Sequence, residues 1–362
     1  MDAELLGLAE RLIGYESVDA EGVAEAAGFV KGWLGARGIE ARQDEVRGIP
    51  VLRAEVGPEG APTVVLHGHL DVVPGLEGQF EPRVEGDRLY GRGAYDMKGA
   101  LAAMMAVTAA MRDQDAVRVR LGIVGDEESE EEAERGSDHL VEAGFVGDFA
   151  ITGEPTDLHI GVEAKGVLAL RLEVSGTAAH GATPWLGDNA VLNAIDVFRA
   201  IESLPFARHS SELFDRPSIN LGRIWGGDAL NKVPDRCVID VDIRYLPDQD
   251  PAAVLEQVRG IEGARVEALL TRPPATVDRD SVFVRALRDA AREHHDGEPM
   301  RVGRDGASDA VSFLRAGVPA VEFGPVGAGH HGPEEWVSVS SLVAYRQALE
   351  SFLRSLPARL DE

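Results

Sequence analysis

The chain holds one cysteine, Cys237, in 362 residues. A single thiol excludes an intramolecular disulfide and fits a reducing compartment. Lysine is nearly absent, with only Lys31, Lys98, Lys165 and Lys232. Asp and Glu total 62 against 36 Lys and Arg, a net charge of −26. That shortage of positive charge argues against a nucleic-acid binder, whose phosphate contacts need clustered Lys and Arg. It argues equally against docking on anionic lipid. No apolar run approaches the ~18 residues of a membrane span. The first residues, Met1-Asp-Ala-Glu-Leu-Leu, lack the basic start and apolar core of a signal peptide. The expected location is therefore the cytoplasm. What remains, 44% hydrophobic and 27% charged residues, is the mix of a globular protein.

The length predicts about two domains. Up to about residue 163, strand-like and helix-like runs alternate, the sign of an α/β layer with a mostly parallel sheet. Helices are expected over Leu5–Ile13, Val23–Leu34 and Ala100–Met111, with strands over Thr63–Leu66, Val117–Val124 and Phe149–Thr152. The middle reads as strand (Val167–Val174), helix (Asn189–Leu204, with Asp188 as N-cap), strand (Ser218–Trp225), strand (Arg236–Leu246), helix (Pro251–Arg259) and strand (Ala264–Leu270). That βαββαβ order is a ferredoxin-like unit. After a linker at Thr271-Arg-Pro-Pro274, a helix (282–294), a helix (309–316) and a strand (319–323) resume the α/β style. The expected division is a discontinuous α/β domain, 1–164 and 273–362, with 165–272 inserted into it.

Five places put a His or a carboxylate beside a strand exit or a Gly-rich turn. They are His67-Gly-His69-Leu-Asp71, Gly91-Arg-Gly-Ala-Tyr-Asp96-Met-Lys-Gly99, Gly125-Asp-Glu127-Glu128, Gly153-Glu154-Pro-Thr156, and Gly324 through His330-His331. Open α/β sheets build sites outside the carboxyl ends of their strands. Imidazole and carboxylate together suit zinc, cobalt or manganese, and are too rich in imidazole for calcium or magnesium. His69 and Asp71, two apart on extended chain, share a face, so Asp71 could accept the second ring N–H of His69 and fix its tautomer; a turn-stabilising Asp is the alternative. Each motif alone is weak. Their conjunction in order carries the weight.

These segments resemble the M20 family of dinuclear metallo-hydrolases, which includes acetylornithine deacetylase, succinyl-diaminopimelate desuccinylase, glutamate carboxypeptidase and aminoacylase. The likeness runs from about residue 4 to 355. It implies a zinc-peptidase-like catalytic domain with an inserted dimerisation domain, hence a homodimer. It makes His69 a ligand of one metal and Asp96 the bridge between two, with Glu128 and Glu154 on different metals. The last ligand is a C-terminal His. His331-Gly-Pro-Glu334-Glu335 fits the family's His-x-x-Asn/Asp-Glu pattern better than His330 does, with Glu334 as a departure. Glu127 falls on the general base and Asp71 on the residue orienting the His. A Glu at position 154 is typical of the deacylases and carboxypeptidases. The implied chemistry is metal-hydroxide attack on an amide, with two zinc ions as first choice and cobalt or manganese as alternatives.

The inserted segment adds further resemblances. Gly176-Thr-Ala-Ala-His180-Gly-Ala-Thr-Pro184 resembles a segment whose His reaches the partner subunit's active site and donates to the oxyanion. Asn231 and Arg244 resemble positions that hold a substrate carboxylate, though Arg244 fits a salt bridge with Asp240 or Asp242 equally well. Gly306-Ala-Ser308-Asp309 resembles a loop at the substrate end, or else a helix start capped by Ser308. His159, His209, His294 and His295, the acidic run Glu130–Glu134, and the apolar-face Cys237 are expected to be structural or solvated. The expected function is deacetylation or desuccinylation of an N-acyl amino acid in amino-acid biosynthesis. The rivals are a carboxypeptidase on small peptides and a non-catalytic metal-binding or regulatory protein.

Overall fold

The computed structural model describes residues 2–129, 135–295, 297, 299–306 and 308–361; the acidic run Glu130–Glu134 lies outside them. In chain order the first part holds α1 (Ala3–Ile13), α2 (Ala20–Gly35), β1 (Ala41–Val46), β2 (Ile49–Val56), β3 (Thr63–His69), β4 (Arg83–Glu85), β5 (Arg88–Tyr90), α3 (Gly99–Ala110), β6 (Arg118–Val124), α4 (Gly136–Glu142), β7 (Phe149–Thr152) and β8 (Ile160–Ala164). Then come β9 (Gly166–Ser175), α5 (Ala190–Ile201), β10 (Ser218–Gly226), β11 (Arg236–Tyr245), α6 (Pro251–Arg259), β12 (Ala264–Arg272) and β13 (Ala275–Thr276). The chain closes with α7 (Val282–His294), β14 (Arg301–Arg304), α8 (Ala310–Arg315), β15 (Ala320–Glu322), β16 (Gly327–Ala328), β17 (Trp336–Ser338) and α9 (Val339–Leu360).

Two compact units result. Unit 1 takes the chain up to Val162, Val277–Val302 and Asp309 onward; unit 2 takes Glu163–Thr276 and Gly303–Ser308. The last segment is a correction, because 303–308 was expected in the α/β part. It belongs with unit 2 because the Lys165 N–H donates to the Arg304 carbonyl at 3.1 Å and the Lys165 ammonium sits 2.7 Å from Asp305.

The large sheet runs β1-β2-β6-β3-β7-β15-β8-β13. Its centre, β6-β3-β7-β15, is parallel, while β1, β2, β8 and β13 pair antiparallel. The sheet is therefore mixed, not mostly parallel. The cause at one end is a hairpin that the sequence pattern did not suggest. Arg47 and Gly48 both take positive φ (54° and 81°), the two-residue turn that joins antiparallel strands, so β1 and β2 pair Val46 with Ile49. Central strands β3 and β7 are buried nearly throughout and read as continuous apolar runs for that reason. Helix α3 is buried on almost every side, as its uniformly apolar sequence requires. The 22-residue α9, also not anticipated, lays Leu342, Tyr345, Leu349, Phe352 and Leu356 into the core at helical spacing.

Unit 2 is an antiparallel sheet in the order β10-β11-β9-β12. With α5 and α6 as crossovers, this is the ferredoxin-like arrangement the βαββαβ pattern predicts. Leu168, Leu170, Leu172 and Val174 of β9 pack with Cys237, Ile239, Val241 and Ile243 of β11 under Ala194, Val197 and Ile201 of α5. Helix α5 begins one residue later than expected: Asn189 accepts the Val191 N–H as N-cap, while Asp188 accepts from Asn193 Nδ2. Among the described residues no helix is long and apolar enough to cross a membrane.

Candidate metal centre

Three parallel strands deliver the first part of the site. His69 at the end of β3 is in register with Val124 at the end of β6, and His67 is in register with Thr152 at the end of β7. The chain leaving each strand thus emerges on one side, carrying Asp71, Glu127-Glu128 and Glu154. Gly324, which follows β15, passes so close to Glu154 that an added Cβ would lie 2.2 Å from its carbonyl oxygen, so this position needs glycine.

The buried His69 ring is held from both sides. Its Nδ1 lies 2.9 Å from the Asp71 carbonyl oxygen and 3.5 Å from Asp71 Oδ1. The nearest acceptor is thus the Asp71 backbone and not the carboxylate that the sequence pointed to. The Asp71 carboxylate also braces the neighbouring loop. Its Oδ2 accepts the Glu128 N–H at 2.8 Å and ties the β3 and β6 loops together. On its other side, His69 Nε2 lies 3.3 Å from Asp96 Oδ1 and 3.8 Å from Glu154 Oε1.

Asp96 comes from a tight turn before α3, with a non-helical backbone (φ −121°, ψ 93°) and a cis bond to Met97. Its second oxygen, Oδ2, lies 3.6 Å from His331 Nε2, which in turn is 2.9 Å from Glu128 Oε1. His331 takes φ 61°, an uncommon conformation for a non-glycine residue and one that clusters at functional sites. His330 instead sets its ring edge-on to Tyr95, 5.8 Å between centroids. Among the described residues the potential ligand atoms form three groups, each within 4.8 Å: His69-Asp96-Glu154, Asp96-Glu128-His331 and His69-Glu127-Glu128. Asp96 is common to the first two.

The electrostatics show what this cluster fits. Burial, then the neighbouring Asp96, pushes the Glu154 carboxyl well above its usual range. Burial, then Asp309, pushes Glu127 up to about 8. Asp96 moves the other way: burial opposes its ionisation, but the hydrogen bonds from His331 and His69 outweigh it and hold its carboxyl below the usual range. For His69 burial favours the neutral ring, yet Asp71 and Asp96 overcome it and raise its pKa well above the ordinary value. His331 rises to about 10 through its hydrogen bonds to Asp96 and Glu128. Four buried or half-buried carboxylates therefore draw positive charge onto both imidazoles. A mixed nitrogen–oxygen donor set with excess negative charge fits divalent transition-type cations.

Further supporting residues surround the cluster. Arg135 donates to the Glu127 carbonyl at 2.8 Å and the Ser129 carbonyl at 2.9 Å, fixing the turn that carries Glu127. The Glu335 carboxylate takes backbone N–H groups of the Asp96 turn. Lys98 is wholly buried with Nζ donating to the Tyr15 carbonyl at 2.7 Å, and burial brings its pKa down to about 7.

The remaining candidates lie in unit 2. His180 is exposed, its Nδ1 accepting the Ala182 N–H at 3.1 Å, and the next residue, Gly181, donates to the Asn231 carbonyl at 2.7 Å. The fold thus brings the His180 and Asn231 segments side by side. Arg244 Nε lies on both oxygens of Asp242, at 2.9 and 3.1 Å, the salt-bridge alternative. Gly306 is exposed and Ser308 buried. The N-cap of α8 is Asp309, not Ser308, because the helix starts at Ala310. Of the histidines set aside, His209 pairs with Asp248 at 2.7 Å and His159 accepts the Met300 N–H. His294 is not simply solvated, since its Nε2 lies 2.7 Å from Ser351 Oγ on α9.

The family described as Peptidase family M20/M25/M40 matches residues 65–355. The chain belongs to this family. It is 30% identical over 369 aligned residues to the succinyl-diaminopimelate desuccinylase of Erythrobacter litoralis, covering 94% of this chain and 95% of that protein. It is 31% identical over 378 aligned residues to the enzyme of the same name from Caulobacter vibrioides, with 96% and 94% covered. Among solved structures, the M20 family metallo-carboxypeptidase Sso-CP2 from Sulfolobus solfataricus superposes with a TM-score of 0.82 at 22% identity, covering 99% of this chain and all of that one. A Staphylococcus aureus tripeptidase gives 0.82 at 21% identity, with 98% of each chain covered. This M20 protein is a metal-dependent hydrolase of amide bonds.

Proposed function

We propose that the protein removes the acyl group, succinyl first and acetyl second, from a small N-acyl amino acid with a free carboxylate. The observation that carries this reading is Asp96, whose two oxygens face different histidines, Oδ1 towards His69 and Oδ2 towards His331. A carboxylate so placed is suited to lie between two cations. His69 and Glu154 would hold one with it, Glu128 and His331 the other, and the Asp71 backbone fixes the His69 ring. Two divalent ions, zinc by preference with cobalt or manganese as alternatives, polarise the scissile carbonyl and lower the pKa of the attacking water when bound.

Glu127 acts as the general base. It lies in one group with His69 and Glu128, close to the ligands without sharing Asp96. Its carboxylate takes the proton of the attacking water and returns it to the leaving amine nitrogen, so the products are the free carboxylic acid and the amino acid. His180, reaching the active site of the partner subunit, is the oxyanion donor, and Asn231, Gly306 and Ser308 contact substrate. Arg244 joins them only by exchanging Asp242 for a substrate carboxylate.

Unit 2 supports a homodimer. Its edge strand β10 is exposed over most of its length, and Trp185, Leu192, Ile224, Trp225 and Leu230 are exposed apolar side chains of the same unit. An unpaired strand edge with exposed apolar side chains offers a second copy a surface to pair with. The buried Cys237 and the lack of other thiols support a reducing cytoplasm.

The test is a substrate panel on the cation-loaded protein, comparing N-succinyl and N-acetyl amino acids with dipeptides. The reading expects the acylated amino acids to have the higher kcat/KM. A preference for dipeptides would replace it with the small-peptide carboxypeptidase. Cation binding without turnover of any of them would favour a regulatory protein.

A further inference from the structure

We propose that Glu335 is a positioning residue that sets Asp96 between its two histidines, with Arg92 as its charge partner. The inference rests on the reading of Asp96 as a shared ligand.

Glu335 is one of the most deeply buried carboxylates in the chain, 2% exposed. Both of its oxygens are doubly occupied. Oε2 accepts from Arg92 Nη1 at 2.8 Å and from the Gly93 N–H at 3.0 Å. Oε1 accepts from the Tyr95 N–H at 3.0 Å and from the Asp96 N–H at 3.1 Å. An ionised carboxylate offers about four acceptor positions, so its capacity is filled, and every bond is assisted by its charge.

The turn it holds is closed by the Ala94 N–H on the Gly91 carbonyl at 3.1 Å and the Lys98 N–H on the Gly93 carbonyl at 2.8 Å, while the Gly93, Tyr95 and Asp96 N–H groups go to the carboxylate. Gly93 is left-handed (φ 77°), and Asp96 and Met97 are both non-helical, so these N–H groups have no ladder of their own. The carboxylate stands in for that ladder. Glu335 also sits four residues after His331 and directly before β17. Its carbonyl accepts the Gly91 N–H at 3.1 Å, and the next residue, Trp336, is in register with Tyr90. One residue therefore ties the turn bearing Asp96 to the loop bearing His331. Its neighbour Glu334 is the contrast: that side chain is largely exposed and pairs with Arg83 at 3.0 Å on the surface.

Glutamine at 335 keeps the shape and reverses the chemistry. Its NH2 would face two donors wherever it points, either Arg92 and Gly93 or Tyr95 and Asp96. The Asp96 turn would shift, and outer-shell changes of this kind cost about 10–100-fold in metal affinity.

The experiment titrates cation-free wild type, Glu335→Gln and Glu334→Gln with Zn2+ by calorimetry, with elemental analysis for stoichiometry and denaturant unfolding of the cation-free proteins alongside. The expected result is two ions on wild type, unchanged affinity in Glu334→Gln, and affinity lower by about 10–100-fold in Glu335→Gln. A merely structural role would lower the unfolding midpoint of Glu335→Gln and leave its affinity at the wild-type value, which overturns the inference. If Glu335→Gln does not fold, Arg92→Gln carries the test: weaker binding supports the inference and unchanged binding overturns it. Wild type that binds no ion overturns the metal-centre reading itself, a result distinct from equal affinities in wild type and variant.

Discussion

The two units differ in how much charge they bury. Unit 2 has an apolar core, and the two charged groups buried there are each matched: Lys165 with Asp305, and Asp240 with both Nε and Nη2 of Arg171 at 2.8 Å. Unit 1 matches Arg92 with Glu335 at 2.8 Å in the same way, but it also buries His67, His69, Asp71, Asp126, Glu154, Asp309 and Glu322 around its strand ends. Several of their atoms, among them both ring nitrogens of His67 and Asp309 Oδ2, make no hydrogen bond. Burial brings the His67 pKa down to about 4 and keeps its ring neutral, so the excess is one of carboxylates, which a cation would offset. Unit 2 shows that this chain can match buried charges; the excess in unit 1 is a property of the site.

The sharpest way to break the contrast is at the base. Glu127→Ala is expected to lower kcat by about 10²–10⁴-fold, the range for general acid–base catalysis, with cation content unchanged. Matching loss of bound cation would make Glu127 a ligand. Removing the cations comes next. With ions present at 100 times their Kd, unit 1 gains about 2.7 kcal/mol for each ion bound, so a chelator should lower its unfolding midpoint and abolish turnover. Hydrogen exchange in the β9–β12 sheet should respond less than exchange at the ends of β3, β6 and β7. Equal responses would erase the distinction between the units.

Gly324→Ala is a smaller perturbation. Its Cβ would press on the Glu154 carbonyl, and one ligand should move while the others stay. Zinc titration should then show one weakened site of two; two unaffected sites would mean that Glu154 is not held through this contact. The smallest effect on the metal centre is expected from Trp225→Asp on β10. Light scattering should report half the wild-type mass with cation stoichiometry unchanged. A wild type that is already monomeric would remove the basis for the His180 assignment.

How much of this was legible in the sequence follows from which signals are local. His69, Asp96, Glu127, Glu128 and Glu154 stood out because each lies beside a strand exit or a glycine-rich turn, while the choice of His331 over His330 rested on the resemblance to the M20 His-x-x-Asn/Asp-Glu pattern. The βαββαβ order was legible because β9 and β11 alternate cleanly between buried and outward residues. The β1–β2 hairpin was missed because Arg47-Gly48 is a weaker turn signal than Asn-Gly, and because β1, largely exposed, carries little apolar pattern. Helix α9 had a readable stripe and a capping Ser338, although Pro357 falls inside it near its C-terminal end. Glu335 was hidden by composition. In a chain with 62 acidic residues, nothing in residue type separates a carboxylate holding four donors in the core from Glu334 beside it on the surface.

The most direct measurement is anomalous diffraction from crystals of the zinc-loaded protein. The account predicts two peaks, one on each side of the Asp96 carboxylate, the first against His69 and Glu154 and the second against Glu128 and His331. A single peak, or peaks that leave Asp96 uncoordinated, would contradict it.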